Sequence, residues 1–432
     1  MKYPSALIFT VAIFVIAGLV PAVNAAEADA IFQHSWKFNF SNQPASDEAV
    51  KVAATDTFST GRGFGFDLGT RPTDDGKPFF FSIAVPEGTY HVSVTFGDPG
   101  VASVNTVKAE SRQLMLEHVE TRPGVFTTRD FLVDVRDIRV PPPEKNAPGG
   151  SAVILNDREI GILRWDDKLT LEFNGTAPKV IALAVQRTET PTVFVVGDST
   201  VTDQPYEPGA SWGQMLPRFL RGVAVANHAE SGETMKSFIS GLRLAKVLSQ
   251  IKAGDYLFIQ FGHNDEKKSW PQTYVEAHTT YKAYLKVFVA EARLRKATPV
   301  LVTSMQRRNF DDQGKIRNTH GDYPQAVREV AAEENVAMID LERMSVAFYE
   351  ALGPGRAPLA FSAGGRDITH HDNYGAYELA KCIVQGIRDA DLPLARSISA
   401  DFDGFDPAHP DSPEEFSLPA SPLRNSLAPR GS

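Results

Sequence analysis

The chain has 432 residues, a formal charge of −9 at pH 7 and 42% apolar residues. It contains no run of Lys or Arg that suggests a nucleic-acid surface and no phosphate loop or dinucleotide fingerprint, so nucleic acids and nucleotides are not expected as partners. The single cysteine, Cys382, excludes an intrachain disulfide, and the helical apolar pattern around it indicates core packing.

Residues 1–25 are predicted to be a signal peptide. Lys2 gives a positive start, residues 7–20 form an apolar run, and Val23-Asn24-Ala25 provides small residues where a signal peptidase cuts. The alternative is a membrane anchor, but the run is shorter than the ~20 residues that span a bilayer. We therefore expect a secreted or periplasmic protein with no membrane contact after cleavage. The rest of the chain is long enough for two domains.

The first domain, residues 27–187, is predicted to be a β-sandwich. Tyr90, Val92, Val94 and Phe96 alternate along one face of a strand. A strand over residues 79–85 precedes it, and residues 86–89 are expected to form a hairpin-style turn. Further strands are predicted over residues 126–135, 169–173 and 180–185. Short strands with regular Gly and Pro turns are typical of a sandwich.

The second domain, residues 190–395, is predicted to be α/β. Apolar strands over residues 193–196, 255–261, 299–303 and 336–339 alternate with helices over 212–221, 234–251, 274–296, 323–334 and 374–388. This alternation indicates a parallel sheet with helices on both faces. Residues 396–432 form a tail rich in Pro and Asp, and from residue 400 onward we expect it to be mostly disordered or loosely docked.

Four blocks in this second domain carry candidate chemistry. Ser199 follows the opening strand, and ligands of open α/β sheets bind beyond the carboxyl ends of the strands, so Ser199 is a candidate nucleophile. The alternative is that Gly-Asp-Ser is an ordinary loop or helix cap. Gly232 and Asn264 lie in later loops and are candidate oxyanion donors, with a turn glycine and an Asx-turn as the alternatives. Asp367 and His370, three residues apart before a helix, suit a carboxylate that orients an imidazole base.

His371 is the rival to His370 as the base, and it is equally compatible with a metal ligand or a solvated neighbour. No cluster of His, Cys, Asp and Glu has convincing metal spacing, so no metal or other cofactor is predicted.

The order of these blocks resembles the SGNH (GDSL-like) hydrolase superfamily over roughly residues 190–390. The resemblance implies a flavodoxin-like three-layer α/β/α fold and ester hydrolysis. It also implies that Ser199 is the nucleophile, that His370 is the base oriented by Asp367, and that the N–H of Ser199 joins Gly232 and Asn264 in the oxyanion hole.

A narrower resemblance is to rhamnogalacturonan acetylesterases, some of which carry a galactose-binding-like domain at the N-terminus. It rests on residues 197–200, 227–232, 261–265 and 367–370, with loop sequences at 306–311 and 319–323. Glu233 and His371 depart from the residues that are commoner at these positions.

Substrate contacts are less well defined by the sequence. Arg307 and Arg308 suit the carboxylate of a uronic acid, but structural ion pairs are equally compatible. Four aromatic residues near predicted loop ends are candidates to stack on sugar rings, with ordinary half-buried packing as the alternative: Trp212, Trp270, Tyr274 and Tyr323. His320 is a further candidate for substrate contact or a second base, with an ordinary loop residue as the alternative.

The sequence thus predicts a secreted serine esterase that removes O-acetyl groups from a plant cell-wall polysaccharide, most simply rhamnogalacturonan. The alternatives are an esterase of xylan or of short-chain esters, a lipase, and a non-catalytic carbohydrate-binding protein. The oligomeric state is not predicted.

Overall fold

A computed structural model describes residues 35–41, 48–73 and 75–425. The predicted signal peptide, residues 1–25, and the end of the tail lie outside the described residues. Within the described ranges, none of the helices combines the length and the apolar character needed to cross a bilayer.

Ten strands form two five-stranded sheets that pack face to face as a sandwich. One sheet has the order β2-β1-β10-β5-β8 and the other the order β3-β4-β9-β6-β7, with antiparallel neighbours except for β1 and β2. The strands are β1 (Ser35–Asn39), β2 (Val50–Lys51), β3 (Phe64–Asp67), β4 (Phe79–Ala84), β5 (Gly88–Phe96), β6 (Ser103–Ala109), β7 (Gln113–Thr121), β8 (Thr127–Val135), β9 (Lys168–Thr176) and β10 (Val180–Arg187).

The alternation in β5 is confirmed, because Tyr90, Val92, Val94 and Phe96 are all buried between the sheets. The expected hairpin at residues 86–89 is wrong. β4 and β5 belong to different sheets, so the short segment between them crosses from one layer of the sandwich to the other. A Pro-Glu-Gly turn therefore connects two layers here, which local sequence does not distinguish from a hairpin.

The second domain contains a five-stranded parallel sheet. Its strands are β11 (Thr192–Gly197), β12 (Ala224–Asn227), β13 (Tyr256–Gln260), β14 (Thr298–Val302) and β15 (Ala337–Ile339). Their spatial order is β12-β11-β13-β14-β15, and every pairing is parallel. This is the flavodoxin-like order, and the predicted fold class is confirmed. β11 is buried along its full length, as a strand covered on both faces must be.

Each predicted helical range contains a helix, with local differences. The helices are α1 (Trp212–Met215), α2 (Met235–Ser240), α3 (Arg243–Gln250), α4 (Lys282–Leu294), α5 (Tyr323–Glu334), α6 (Leu341–Arg356), α7 (Ser362–Gly365) and α8 (Asn373–Asp389). Of these, α6 and α7 were not predicted. The single helix expected over residues 234–251 is divided because Leu242 adopts a left-handed conformation with φ of 60°. The helix expected over 212–221 continues after Met215 as a 3-10 turn through Phe219.

The sandwich docks onto the α/β domain through the hairpin between β6 and β7. Leu114 is fully buried in the same apolar cluster as Val195 and Trp212 of the α/β domain. At the tip of the hairpin, the Arg112 guanidinium donates to the carbonyl oxygens of Gln204 at 2.9 Å and Gly209 at 2.8 Å. The two domains therefore share a buried interface.

The prediction of a disordered or loosely docked tail is wrong as far as residue 425. The segment packs on both domains: Phe402 and Ser421 are buried, and Tyr374 Oη donates to the carbonyl oxygen of Asp411 at 2.7 Å. Lys108 Nζ of the sandwich donates to the carbonyl oxygen of Pro419 at 2.7 Å. The acceptor in each of these two hydrogen bonds is a backbone carbonyl oxygen. Because every residue has one, the composition of the tail did not indicate that it would dock.

Candidate active site

Ser199 lies directly beyond the carboxyl end of β11, in a turn that is fixed on several sides. Gly197 is required there, since a Cβ atom on it would lie 2.5 Å from the carbonyl oxygen of Gln260. Asp198 Oδ1 accepts hydrogen bonds from the backbone N–H of Thr200 at 3.0 Å and from its hydroxyl at 2.8 Å. Gln204 Nε2 donates to the carbonyl oxygen of Ser199 at 2.7 Å. The hydroxyl of Ser199 is thus presented from a rigid turn.

The imidazole of His370 lies between Ser199 and Asp367. Its Nε2 is 2.9 Å from Ser199 Oγ, and its Nδ1 is 2.8 Å from Asp367 Oδ2. Nδ1 carries a proton and donates a hydrogen bond to the carboxylate, so Nε2 is free to accept the serine proton. The predicted nucleophile, base and orienting acid are therefore brought together at hydrogen-bonding distances.

Asp367 is held as a carboxylate. Its Oδ1 accepts hydrogen bonds from the backbone N–H groups of Thr369 at 2.7 Å and His370 at 2.9 Å. Burial raises the pKa of Asp367, but the hydrogen bond and charge of His370 and these backbone donors outweigh it, so the pKa lies well below its usual range. The carboxylate therefore stays ionised and keeps the imidazole oriented.

The two predicted oxyanion donors lie on neighbouring loops beyond β12 and β13. Gly232 has φ of 83°, in the region that favours glycine. The backbone N–H of Glu230 donates to the carbonyl oxygen of Gly197 at 3.1 Å, which ties the Gly232 loop to the nucleophile strand. Asn264 Nδ2 donates to the carbonyl oxygen of Glu233 at 3.0 Å. Because an amide nitrogen carries two N–H groups, this bond fixes the side chain and leaves the other N–H for an oxyanion.

A buried histidine behind the nucleophile turn was missed by the sequence analysis. His263 Nδ1 lies 3.5 Å from Asp198 Oδ2, and its ring packs edge-on against His320 at 4.5 Å between centroids. Burial lowers the pKa of His263 to about 4, although the charge of Asp198 opposes the effect. The ring is therefore neutral at pH 7 and links the loop of Asn264 to the residue before Ser199. The local sequence Gly-His-Asn-Asp was the available signal.

Trp212 and His320, two of the predicted substrate contacts, are buried. Trp212 is 0% exposed and its Nε1 donates to Gln260 Oε1 at 2.8 Å, so its prediction as a sugar contact is wrong. His320 is 1% exposed, and its ring nitrogens lie 2.8 Å from Glu266 Oε2 and 2.9 Å from the carbonyl oxygen of Met305. Trp212 is therefore a core residue and His320 a hydrogen-bonded residue of its loop, as the alternative given for each above predicts.

Both predicted arginines are committed to structural partners. Arg307 Nη2 pairs with Glu266 Oε1 at 2.7 Å. Arg308 Nη2 donates to the carbonyl oxygens of Gly365 at 2.6 Å and Asp367 at 3.3 Å. Arg308 therefore anchors the loop that carries the acid of the triad, and the ion-pair alternative is the one observed for Arg307.

The contacts of His371 exclude it as the general base. It is buried and its Nε2 lies 2.7 Å from the hydroxyl of Tyr349. Burial and the charge of His370 lower the pKa of His371 to about 3. The described residues hold no group of three or more His, Cys, Asp and Glu side chains placed to bind a metal ion.

An open cleft of about 450 Å³ lies beside the loop that follows Asn264. Glu266, Lys267, Tyr274 and Asp322 are among the residues that line it. Lys267 Nζ lies 4.3 Å from the centre of the Trp270 ring. Of the aromatic residues considered above, Tyr274 and Tyr323 both line this cleft. Tyr323 is largely buried, and its hydroxyl donates to the carbonyl oxygen of Val275.

Ser199, His370 and Asp367 contact one another in sequence at the carboxyl edge of a parallel sheet. This arrangement defines a serine hydrolase. Residues 195–379 match the GDSL-like lipase/acylhydrolase family. The chain belongs to this family and is a carboxylic ester hydrolase.

Similar proteins match either about half of the chain or nine-tenths of it. Rhamnogalacturonan acetylesterase RhgT of Bacillus subtilis is 42% identical over 216 residues, which are 47% of this chain and 91% of the relative. The probable rhamnogalacturonan acetylesterase YesY of the same organism is 40% identical over 48% of this chain and 96% of its own length. The uncharacterized esterase YxiM, also from Bacillus subtilis, is 25% identical over 90% of this chain and 98% of its own length, so its similarity includes the sandwich.

Proposed function

We propose that this protein is a secreted O-acetylesterase that removes acetyl groups from a plant cell-wall polysaccharide, with rhamnogalacturonan as the substrate. The observation that carries the esterase chemistry is the contact between Ser199 Oγ and His370 Nε2 at 2.9 Å, with Asp367 2.8 Å from the other ring nitrogen. The carbohydrate substrate is supported by the two relatives named for rhamnogalacturonan, which are 42% and 40% identical over 216 and 212 residues.

In the proposed mechanism, Ser199 Oγ attacks the acetyl carbonyl carbon while His370 Nε2 takes its proton. The tetrahedral oxyanion accepts hydrogen bonds from the backbone N–H groups of Ser199 and Gly232 and from Asn264 Nδ2. As the intermediate collapses, the sugar oxygen leaves with the proton from His370 and an acetyl–Ser199 ester remains. Water, deprotonated by His370, then releases acetate and restores the serine. This mechanism uses side chains and backbone groups alone.

The cleft beside Asn264 is the proposed place for the sugar chain. It is open at the surface, and Tyr274 and Lys267 supply an aromatic face and a cation beside it. Sugar rings pack on aromatic faces, and an ammonium group suits the carboxylate of a uronic acid. Secretion is proposed from the sequence of residues 1–25 and is tested by the N-terminal residue of the protein recovered outside the producing cell.

The experiment is acetate release from acetylated rhamnogalacturonan, with acetylated xylan in parallel and Ser199→Ala as the matched inactive control. We expect release from the pectic polymer that the substitution abolishes. Release from xylan alone retains the mechanism and overturns the substrate. A rate that rises from acetyl to octanoyl esters favours a lipase, and glycan binding without acetate release favours a binding protein.

A further inference from the structure

The connection between β8 and β9 leaves the sandwich and lies against the α/β domain. It carries Glu159, Arg164 and Trp165 into the interface, where Glu159 and Arg164 are buried. Trp165 Nε1 donates to Glu159 Oε1 at 2.9 Å, and Arg243 of α3 donates to the same oxygen at 3.0 Å. A loop of the first domain is thereby held rigidly against the second.

Arg164 contacts two loops of the α/β domain at once. Its Nη1 donates to Thr202 Oγ1 at 2.6 Å and to the carbonyl oxygen of Asp203 at 2.8 Å, and its Nη2 forms an ion pair with Glu230. Only 3% of the Arg164 side chain and 1% of that of Glu230 are exposed. A planar guanidinium with several donors in a fixed fork suits such bridging, which a lysine does not reproduce.

Each of these two loops leads to a proposed oxyanion donor. The backbone N–H of Thr202 donates to the carbonyl oxygen of Asp198 at 3.0 Å, so Arg164 holds the turn that presents Ser199. Glu230 lies two residues before Gly232, and its own N–H donates to the carbonyl oxygen of Gly197 at 3.1 Å. Arg164 therefore joins the loop of the Ser199 N–H to the loop of the Gly232 N–H.

The charge of Arg164 is matched within the interface. Burial lowers its pKa to about 9, and the carboxylates of Glu159 and Asp203 oppose this effect. The guanidinium is thus protonated at pH 7 and paired with Glu230. Removal of one partner of such a buried pair leaves the other charge uncompensated, so the loops are expected to shift when Arg164 is replaced.

We infer that Arg164, contributed by the β-sandwich, is a positioning residue for ester hydrolysis that sets the spacing between the backbone N–H groups of Ser199 and Gly232. This inference rests on the proposed function in that both N–H groups are taken to bind the oxyanion, but it is independent of the sugar substrate. The sandwich thereby has a part in the reaction that does not require it to bind glycan.

The test uses the full chain and 4-nitrophenyl acetate, a small ester that makes no glycan contacts. For Arg164→Met we expect kcat to fall about 10- to 100-fold with little change in KM, since the contacts are to groups that bind the transition state. Arg164→Lys should recover only part of this loss, because it retains the charge without the fork. The affinity for a boronic acid that forms a tetrahedral adduct with serine should fall in parallel with kcat/KM.

Lys246→Met is the matched control. Lys246 is also a buried cation of the same interface, where its Nζ donates to the carbonyl oxygen of Arg139 at 2.7 Å and lies 3.3 Å from Asp137 Oδ1, and both of these partners belong to the sandwich. We expect it to lower the melting temperature as Arg164→Met does and to leave kcat within about twofold of the parent.

The outcomes separate the two proposals. Full activity of Ser199→Ala overturns the proposed function itself. A kcat of Arg164→Met no lower than that of Lys246→Met, or a rise of KM alone, overturns the positioning role and leaves the esterase intact. If Arg164→Met does not fold, Thr202→Val removes the hydroxyl acceptor and Glu230→Gln removes the charge of the ion pair, and an unchanged kcat in both overturns the inference.

Discussion

The hydroxyl of Tyr349 lies 2.7 Å from Nε2 of His371, and this contact distinguishes two adjacent histidines. His370, one residue earlier, has its own Nε2 2.9 Å from Ser199 Oγ. Because His371 is buried with its ring on Tyr349 and Phe361, it supports the loop on which His370 acts.

Replacement of each histidine should therefore give opposite results. We expect His370→Gln to reduce kcat for 4-nitrophenyl acetate about 10²- to 10⁴-fold, since the general base is lost. His371→Gln should retain more than about a tenth of the activity and lower the melting temperature, because its cost lies in packing. Steady-state kinetics and thermal unfolding of both variants check this. A greater loss of kcat in His371→Gln would reverse the assignment.

Asp367→Asn should lower kcat by about 10²- to 10⁴-fold while KM changes little. The amide does not accept the hydrogen bond from Nδ1–H as the carboxylate does, so the imidazole takes the wrong tautomer. Circular dichroism should remain that of the parent, since the amide oxygen still accepts the N–H groups of Thr369 and His370. Asp312→Asn, an exposed aspartate, serves as the control and should leave kcat unchanged. Equal activity of the two variants contradicts a role for Asp367.

Asn264→Ala should lower kcat about 100- to 1,000-fold through the loss of one oxyanion donor. KM for the ester should change much less, because the ground-state carbonyl binds its donors more weakly than the oxyanion does. Measurement of kcat and KM with 4-nitrophenyl acetate separates the two effects. A rise in KM at constant kcat would place Asn264 in ground-state binding.

The contribution of Asp265 to stability should fall as the pH rises from about 4 to about 8. Burial raises the pKa of Asp265 to about 8, so the folded state holds a proton that the unfolded state has released. The stabilising contribution is complete below the unfolded pKa and is lost as the pH approaches the folded one. We expect Asp265→Asn to flatten this decline by up to about 1.4 kcal/mol per pH unit, measured by urea unfolding at several pH values. Parallel curves for parent and variant would contradict the prediction.

The docked tail should contribute measurably to stability through Ser421. Its hydroxyl donates to Glu172 Oε2 at 2.7 Å, and its backbone N–H donates to Glu207 Oε1 at 3.1 Å. Ser421→Ala should lower the free energy of unfolding by about 1–3 kcal/mol, because a buried carboxylate oxygen loses its donor. Ser417→Ala, at an exposed position, should stay within about 0.5 kcal/mol of the parent in urea unfolding. The same small effect in both would show that the Ser421 hydroxyl adds nothing.

The sequence predicted the parts of this molecule that depend on local patterns. The strands around Val92 and Val195 follow from alternation and from continuous apolar character, and the resemblance placed Ser199 and His370 in one site. β6 and β7 were missed because both faces of their sheet are covered. Thr106 and Lys108 are buried under the docked tail or the second domain, so no apolar–polar alternation marks these strands.

The contacts of Arg164, Trp212 and His320 could not be predicted from the sequence, for a different reason. Each depends on a partner more than ten residues away, such as Glu230 for Arg164 and Gln260 for Trp212. Residue type indicates what an arginine or a tryptophan is able to bind, but only the packed structure decides which partner it finds. α6 was missed as well, because Gly353 and Pro354 lie inside its last turns and interrupt its periodicity.

The contacts of the tail also bear on the order in which the protein is completed during synthesis. Lys108 and Asn174 of the sandwich find their acceptors in the carbonyl groups of Pro419 and Ala420. A ribosome adds Pro419 311 residues after Lys108, and Ala420 246 residues after Asn174. Until residues 419 and 420 have been made, the nascent sandwich has only Glu172 beside both side chains. Its final packing is therefore reached only after the α/β domain between them in sequence has been synthesised.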